Sequence, residues 1–78
     1  MIAKRHVLMI DDDPEVLKSQ EIILQSVGIK NVISLHDSRK VLPVLKEREI
    51  QLILLDLTLP YIQGKELLET IKEEHPEI

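Results

Sequence analysis

Residues 52–57 read Leu-Ile-Leu-Leu-Asp-Leu, an apolar run broken only by one carboxylate. A run without polar alternation suits a strand covered on both faces inside a parallel sheet. Parallel strands need crossover connections, usually helical, so the run points to an α/β arrangement with right-handed βαβ units.

The rest of the chain supplies those units. His6 to Ile10 is a second short apolar run, ended by Asp11-Asp12-Asp13, and reads as a buried strand. Asp13 before Pro14 has the form of a helix cap followed by proline at the first helical position. Val16, Leu17, Ile23, Leu24 and Val27 then recur at helical spacing, and Gly28 follows as a terminating glycine. Ile22 lies between the two main stripes of that helix. Asn31 to Leu35 is short and carries β-branched Val32 and Ile33, which predicts a strand. Asp37 or Ser38 caps a second helix carrying Val41, Leu42, Val44 and Leu45; Pro43 conflicts with it, since proline removes a helix hydrogen bond. After a turn from Leu59-Pro60 to Gly64, Leu67, Leu68 and Ile71 mark a third helix that ends near His75-Pro76.

The order strand, helix, strand, helix, strand, helix is that of a parallel α/β sheet. The 78 residues allow one small domain, spanning 1–78. With no cysteine, disulfide staples and thiolate metal sites are excluded. No apolar run approaches the roughly 20 residues of a membrane span. The stretch after Met1–His6 breaks at three aspartates, which argues against a secretory signal and for a cytoplasmic protein. Net charge is −4, basic residues do not cluster, and Trp and Phe are absent, so direct nucleic-acid binding is not expected.

Ligands of open α/β sheets bind beyond the carboxyl ends of the strands, where strand order reverses. With the first and third strands adjacent and the second outside the first, Asp11 and Asp12 follow one strand end and Asp56 closes its neighbour, roughly 4.8 Å away. Carboxylates that close repel one another unless protonated or bridged by a cation. All-oxygen ligands favour a hard ion, Mg²⁺ first and Mn²⁺ or Ca²⁺ next. Beside such an ion Asp56 can attack phosphorus as a nucleophile, and the backbone carbonyl of Thr58 can join the same coordination sphere. Asp13 reads as a cap alone.

At these residues the chain resembles the receiver domains of two-component response regulators. The resemblance rests on Val-Leu-Met-Ile-Asp-Asp-Asp-Pro-Glu-Val and on Leu-Ile-Leu-Leu-Asp-Leu-Thr-Leu-Pro-Tyr-Ile-Gln-Gly. It implies a partial flavodoxin-like, doubly wound sheet of three strands in the order 2-1-3 with three helices. It implies that Asp56 is the phosphoacceptor, that Asp11 and Asp12 hold Mg²⁺ with Asp12 the more direct ligand, and that Thr58 gives its carbonyl. Pro60 and Gly64 would shape the following loop. A histidine kinase would donate the phosphoryl group, and an output domain, probed through the last helices and strands, would be controlled.

Two features of that family have no match here: a Ser or Thr ending a fourth strand and a Lys ending a fifth. Lys65, Lys72 and Thr70 lie on the predicted third helix instead. The expectation is therefore a truncated receiver, its first three βα units present, that does not complete the phosphorylation switch alone. The apolar third strand at a sheet edge would favour self-association, as a dimer or larger assembly.

Other readings compete. Asp11-Asp12-Asp13 also resembles the D-x-D motif of haloacid-dehalogenase-type phosphatases, with Asp11 as nucleophile, but Glu15 is out of pattern and Asp56 is then unexplained. A non-phosphorylated dimerisation module would need no Mg²⁺. A Ca²⁺-binding EF-hand is excluded by the missing glycine and distal glutamate. His6, His36 and His75 are too dispersed for a metal site, and Glu66, Glu69, Glu73 and Glu74 with Lys65 and Lys72 read as a solvated helix face.

Overall fold

The computed structural model describes residues 5–56 and 64–78. Its elements follow the alternating order: β1 (His6–Ile10), α1 (Pro14–Ser26), β2 (Val32–Leu35), a 3-10 turn (Ser38–Lys40), α2 (Val41–Glu47), β3 (Ile50–Leu55) and α3 (Gly64–Glu74). The strands form one parallel sheet in the order β2-β1-β3, as expected.

Register divides the sheet into two faces. Val7 lies between Val32 and Leu52, and Met9 between Ser34 and Leu54, on the face that carries α1. Leu8 lies between Ile33 and Ile53, and Ile10 between Leu35 and Leu55, on the other face. There Val41 and Leu45 of α2 and Leu67 and Ile71 of α3 close the larger core.

The strand covered on both faces is β1, where every residue from Val7 to Ile10 is buried. This corrects the expectation for residues 52–57. The strand runs from Ile50 to Leu55, and its α1-side residues Leu52 and Leu54 are 50% and 39% exposed. The reason is the placement of α1, which packs on β1 and β2: Leu17 and Leu24 contact Val7, Met9 and Val32, and the Ser34 hydroxyl donates to Glu21 at 3.4 Å. No described element lies over the α1 side of β3.

The same placement revises the helical stripe. Leu17 is buried and Leu24 partly buried, whereas Ile23 and Val27 are 62% and 70% exposed. Val16 and Ile22 also face outward.

Helix ends follow their local chemistry. Asp13 caps α1, its carboxylate accepting the Glu15 amide at 2.9 Å with Pro14 at the first position. At the other end the Gly28 amide donates to Gln25 (3.0 Å) and the Ile29 amide to Leu24 (2.9 Å). This is the paired closure that needs a left-handed residue, and Gly28 supplies it at φ +92°. Asp37 caps the 3-10 turn. Because α2 proper begins at Val41, Pro43 falls in its first turn, where amide groups have no partner within the helix, and the conflict disappears. The turn expected at Leu59-Pro60 lies outside the described residues.

Candidate functional site

The carboxyl ends of β1 and β3 bring the expected acids together. The Asp11 amide donates to Leu35 at 3.2 Å, and the Asp56 amide donates to Ile10 at 3.0 Å. Both residues thus extend the ladder by one rung beyond the strands, which fixes where their side chains start. One carboxylate oxygen from each of Asp11, Asp12 and Asp56 lies within 4.8 Å of the others. Asp11 and Asp56 are half-buried and Asp12 is exposed.

The Asp11 carboxylate is further held by a tight turn, its Oδ1 accepting the Asp13 amide at 3.0 Å. Asp13 itself is spent on the helix cap, as read from the sequence, and does not join the cluster.

Two unit charges roughly 5 Å apart repel by about 3 kcal/mol at an effective dielectric near 20. Partial exposure reduces that figure by solvent screening. A divalent cation removes the repulsion. The donor set is all carboxylate oxygen, which fits Mg²⁺, an ion that takes one or two carboxylates and keeps several waters. No other trio of acidic or histidine residues converges in this way among the described residues.

Thr58, Pro60 and Tyr61 lie outside the described residues. Gly64 opens α3 and is buried. Lys65 and Lys72 are on α3, as expected, exposed to solvent.

Two neighbouring features escaped the sequence. Arg39 forms a fork on Asp37, with Nε and Nη2 at 3.0 and 2.9 Å from its two carboxylate oxygens. The Asp37–x–Arg39 spacing beside a cap was the available signal. That guanidinium, with the Arg39 backbone amide, holds the Asp37 carboxyl down to about 2. Second, Gln20 of α1 borders a cleft of about 310 Å³ together with Ile10, Asp11, Leu54, Leu55 and Asp56. It lies nine positions beyond Asp11, and only the packing of α1 on the sheet brings the two to one cleft.

A family model described as the response regulator receiver domain matches residues 7–78. The transcriptional regulatory protein CpxR of Escherichia coli is 33% identical over 69 residues, which cover 88% of this chain and 29% of CpxR. The two-component response regulator PprB of Pseudomonas aeruginosa is 34% identical over 73 residues, covering 91% of this chain and 26% of PprB. The chain thus spans under a third of the length of either relative. Among solved structures, a CheY-like receiver domain from Methanospirillum hungatei superimposes with a TM-score of 0.85 at 30% identity, covering 95% of this chain and 58% of that one. The BeF3-activated DrrB receiver domain gives 0.78 at 29% identity, covering 96% of this chain and 61% of that one.

Proposed function

The chain belongs to the response regulator receiver domain family, and on that footing we propose that it is a phosphoacceptor module in which Asp56 receives a phosphoryl group from a histidine kinase. The observation that carries the reading is the convergence of Asp11, Asp12 and Asp56 within 4.8 Å at the ends of adjacent strands.

In this reading an Asp56 carboxylate oxygen attacks the phosphorus of the kinase phosphohistidine. The new O–P bond forms as the P–N bond breaks, and the histidine nitrogen leaves with its electron pair. Asp11 and Asp12, with Asp56 and, as the family resemblance implies, the Thr58 carbonyl, would hold Mg²⁺, which when bound would supply charge neutralisation for the transferring phosphoryl group. Asp56 enters this chemistry with its backbone fixed by the hydrogen bond that its amide donates to the Ile10 carbonyl, so the position from which its side chain starts is set before the donor arrives.

The names of relatives such as CpxR, a transcriptional regulatory protein, support an output that acts on transcription. We propose such an output as the partner of this domain, in a cytoplasmic protein; no helix among the described residues is long and apolar enough to cross a membrane. Residues 1–78 would correspond to the first three βα units of the receiver, in keeping with the share of solved receiver domains that they cover. Self-association of the 78-residue chain through β3 is part of the same proposal, since among the described residues that strand lies at the edge of the sheet with Leu52 and Leu54 exposed. Sedimentation over a range of concentrations tests it.

The dehalogenase-type alternative would make Asp11 the nucleophile, yet its Oδ1 accepts the Asp13 amide. To test the proposal, the chain is incubated with acetyl phosphate and Mg²⁺ and mapped by mass spectrometry. A Mg²⁺-dependent adduct on Asp56, absent in Asp56→Asn, is the expected result. An adduct on Asp11, or one indifferent to Mg²⁺, would overturn it.

A further inference from the structure

We propose that Gln20 is a positioning residue for the cation, holding one of the ion's waters against the carboxylates from the α1 side. The inference rests on the cation reading above and adds a residue that neither motif contains.

The geometry starts from the face of α1. Leu17 and Leu24 point at the sheet. At about 100° per residue, Gln20 and Glu21 fall on opposite flanks of that line. Glu21 goes to the β2 side, where it accepts from Ser34. Gln20 goes to the β3 side, where it is exposed to solvent and borders the cleft with Leu54, Asp11 and Asp56.

Chemistry then singles it out. The other described lining residues are Ile10, Leu54 and Leu55, which are apolar, and two aspartates, which as carboxylates only accept. Gln20 brings the one side-chain N–H donor, and its carboxamide makes no side-chain hydrogen bond among the described residues. Mg²⁺ dehydrates reluctantly and keeps several waters, whose hydrogens need acceptors. The Gln20 carbonyl oxygen can accept from such a water while its NH₂ donates to a carboxylate oxygen off the metal. Partners of this kind orient the ligands directly on the ion, and losing one typically weakens metal binding about 10–100-fold.

Three variants of the 78-residue chain, with Ser19→Ala as a control, test the assignment: Gln20→Leu, which keeps the bulk and removes both polar groups, Gln20→Glu, which keeps an acceptor, and Asp12→Asn. Mg²⁺ affinity is read by calorimetry, Mn²⁺ hydration by water-proton relaxation, and folding by circular dichroism. The expected result is a Mg²⁺ affinity about tenfold weaker in Gln20→Leu and altered Mn²⁺ relaxation, with Gln20→Glu at or above the parent. Ser19→Ala, an exposed neighbour that does not border the cleft, should change nothing. If Asp12→Asn weakens binding while Gln20→Leu stays within about twofold of the parent, the Gln20 assignment is overturned and the cation site stands. If Asp12→Asn leaves binding unchanged, or the parent binds no Mg²⁺, both fall together.

Discussion

The amide of Asp56 donates to the carbonyl of Ile10 at 3.0 Å, which ties the end of β3 to the strand whose next residues are Asp11 and Asp12. Parallel pairing is continuous from Val7–Leu52 to Ile10–Leu55, so this bond completes a ladder. The acids meet because a register of four apolar pairs delivers them to one rim. Their mutual repulsion is the cost of that delivery.

Removing one charge should therefore stabilise the cation-free chain. Asp56→Asn is expected to raise stability in EDTA by about 1 kcal/mol, below the unscreened pair figure because Asp56 is only half-buried. Adding Mg²⁺ should raise the melting temperature of the parent and leave the variant nearly unmoved. Thermal melts with and without Mg²⁺ check both signs; a lower melt for Asp56→Asn in EDTA would mean that favourable contacts of the Asp56 side chain outweigh the repulsion among the three acids.

Gly28 tests the end of α1. Its φ of +92° is disfavoured for residues with a Cβ, yet nothing lies within 4 Å of where that atom would sit. Gly28→Ala thus meets only backbone strain and should cost about 1–2 kcal/mol. Gly28→Asn, a residue more tolerant of left-handed geometry, should cost less. Urea denaturation of the two variants gives the comparison, and equal losses would point to packing instead of backbone.

Asp37 gives a pH signature. Arg39 holds its carboxyl at about 2, against an ordinary 3.8. A depressed carboxylate contributes stability that is fully present above the ordinary value and is lost as pH falls through about 2. The window is therefore the interval between those values, far below neutrality. Carbon-detected NMR titration should find the Asp37 midpoint near the lower figure, and Arg39→Ala should return it toward the ordinary range.

Much of this architecture is legible in the residues, for reasons that differ along the chain. Asp13-Pro14 and Gly28 act locally, through a cap and a left-handed turn, so they declare the limits of α1 without tertiary information. The acid site is legible because strand ends in a parallel sheet share one rim, which makes Asp11, Asp12 and Asp56 neighbours once strand order is assumed. Burial was less readable. Composition alone makes Leu52–Leu55 look as central as Val7–Ile10, but coverage depends on where α1 leans, and it packs on β1 and β2 through Leu17 and Leu24. Gln20 was unreadable for the same reason: its partner residues come from two strands, set by that lean.

The contrast between β1 and β3 yields the last prediction. Leu8 is fully buried between both neighbouring strands and under α2 and α3, while Leu54 is 39% exposed on the opposite face of the edge strand. Leu8→Ala removes a side chain from the larger core and should cost about 2–5 kcal/mol, enough to unfold much of a domain this small. Leu54→Ala in the same 78-residue chain loses mostly surface contact and should cost under about 1 kcal/mol. Far-UV circular dichroism at room temperature separates the outcomes, since Leu8→Ala should lose helix signal and Leu54→Ala should keep it. Equal damage from the two substitutions would mean that the α1 side of β3 is covered, and the self-association measurement then shows whether a second copy covers it.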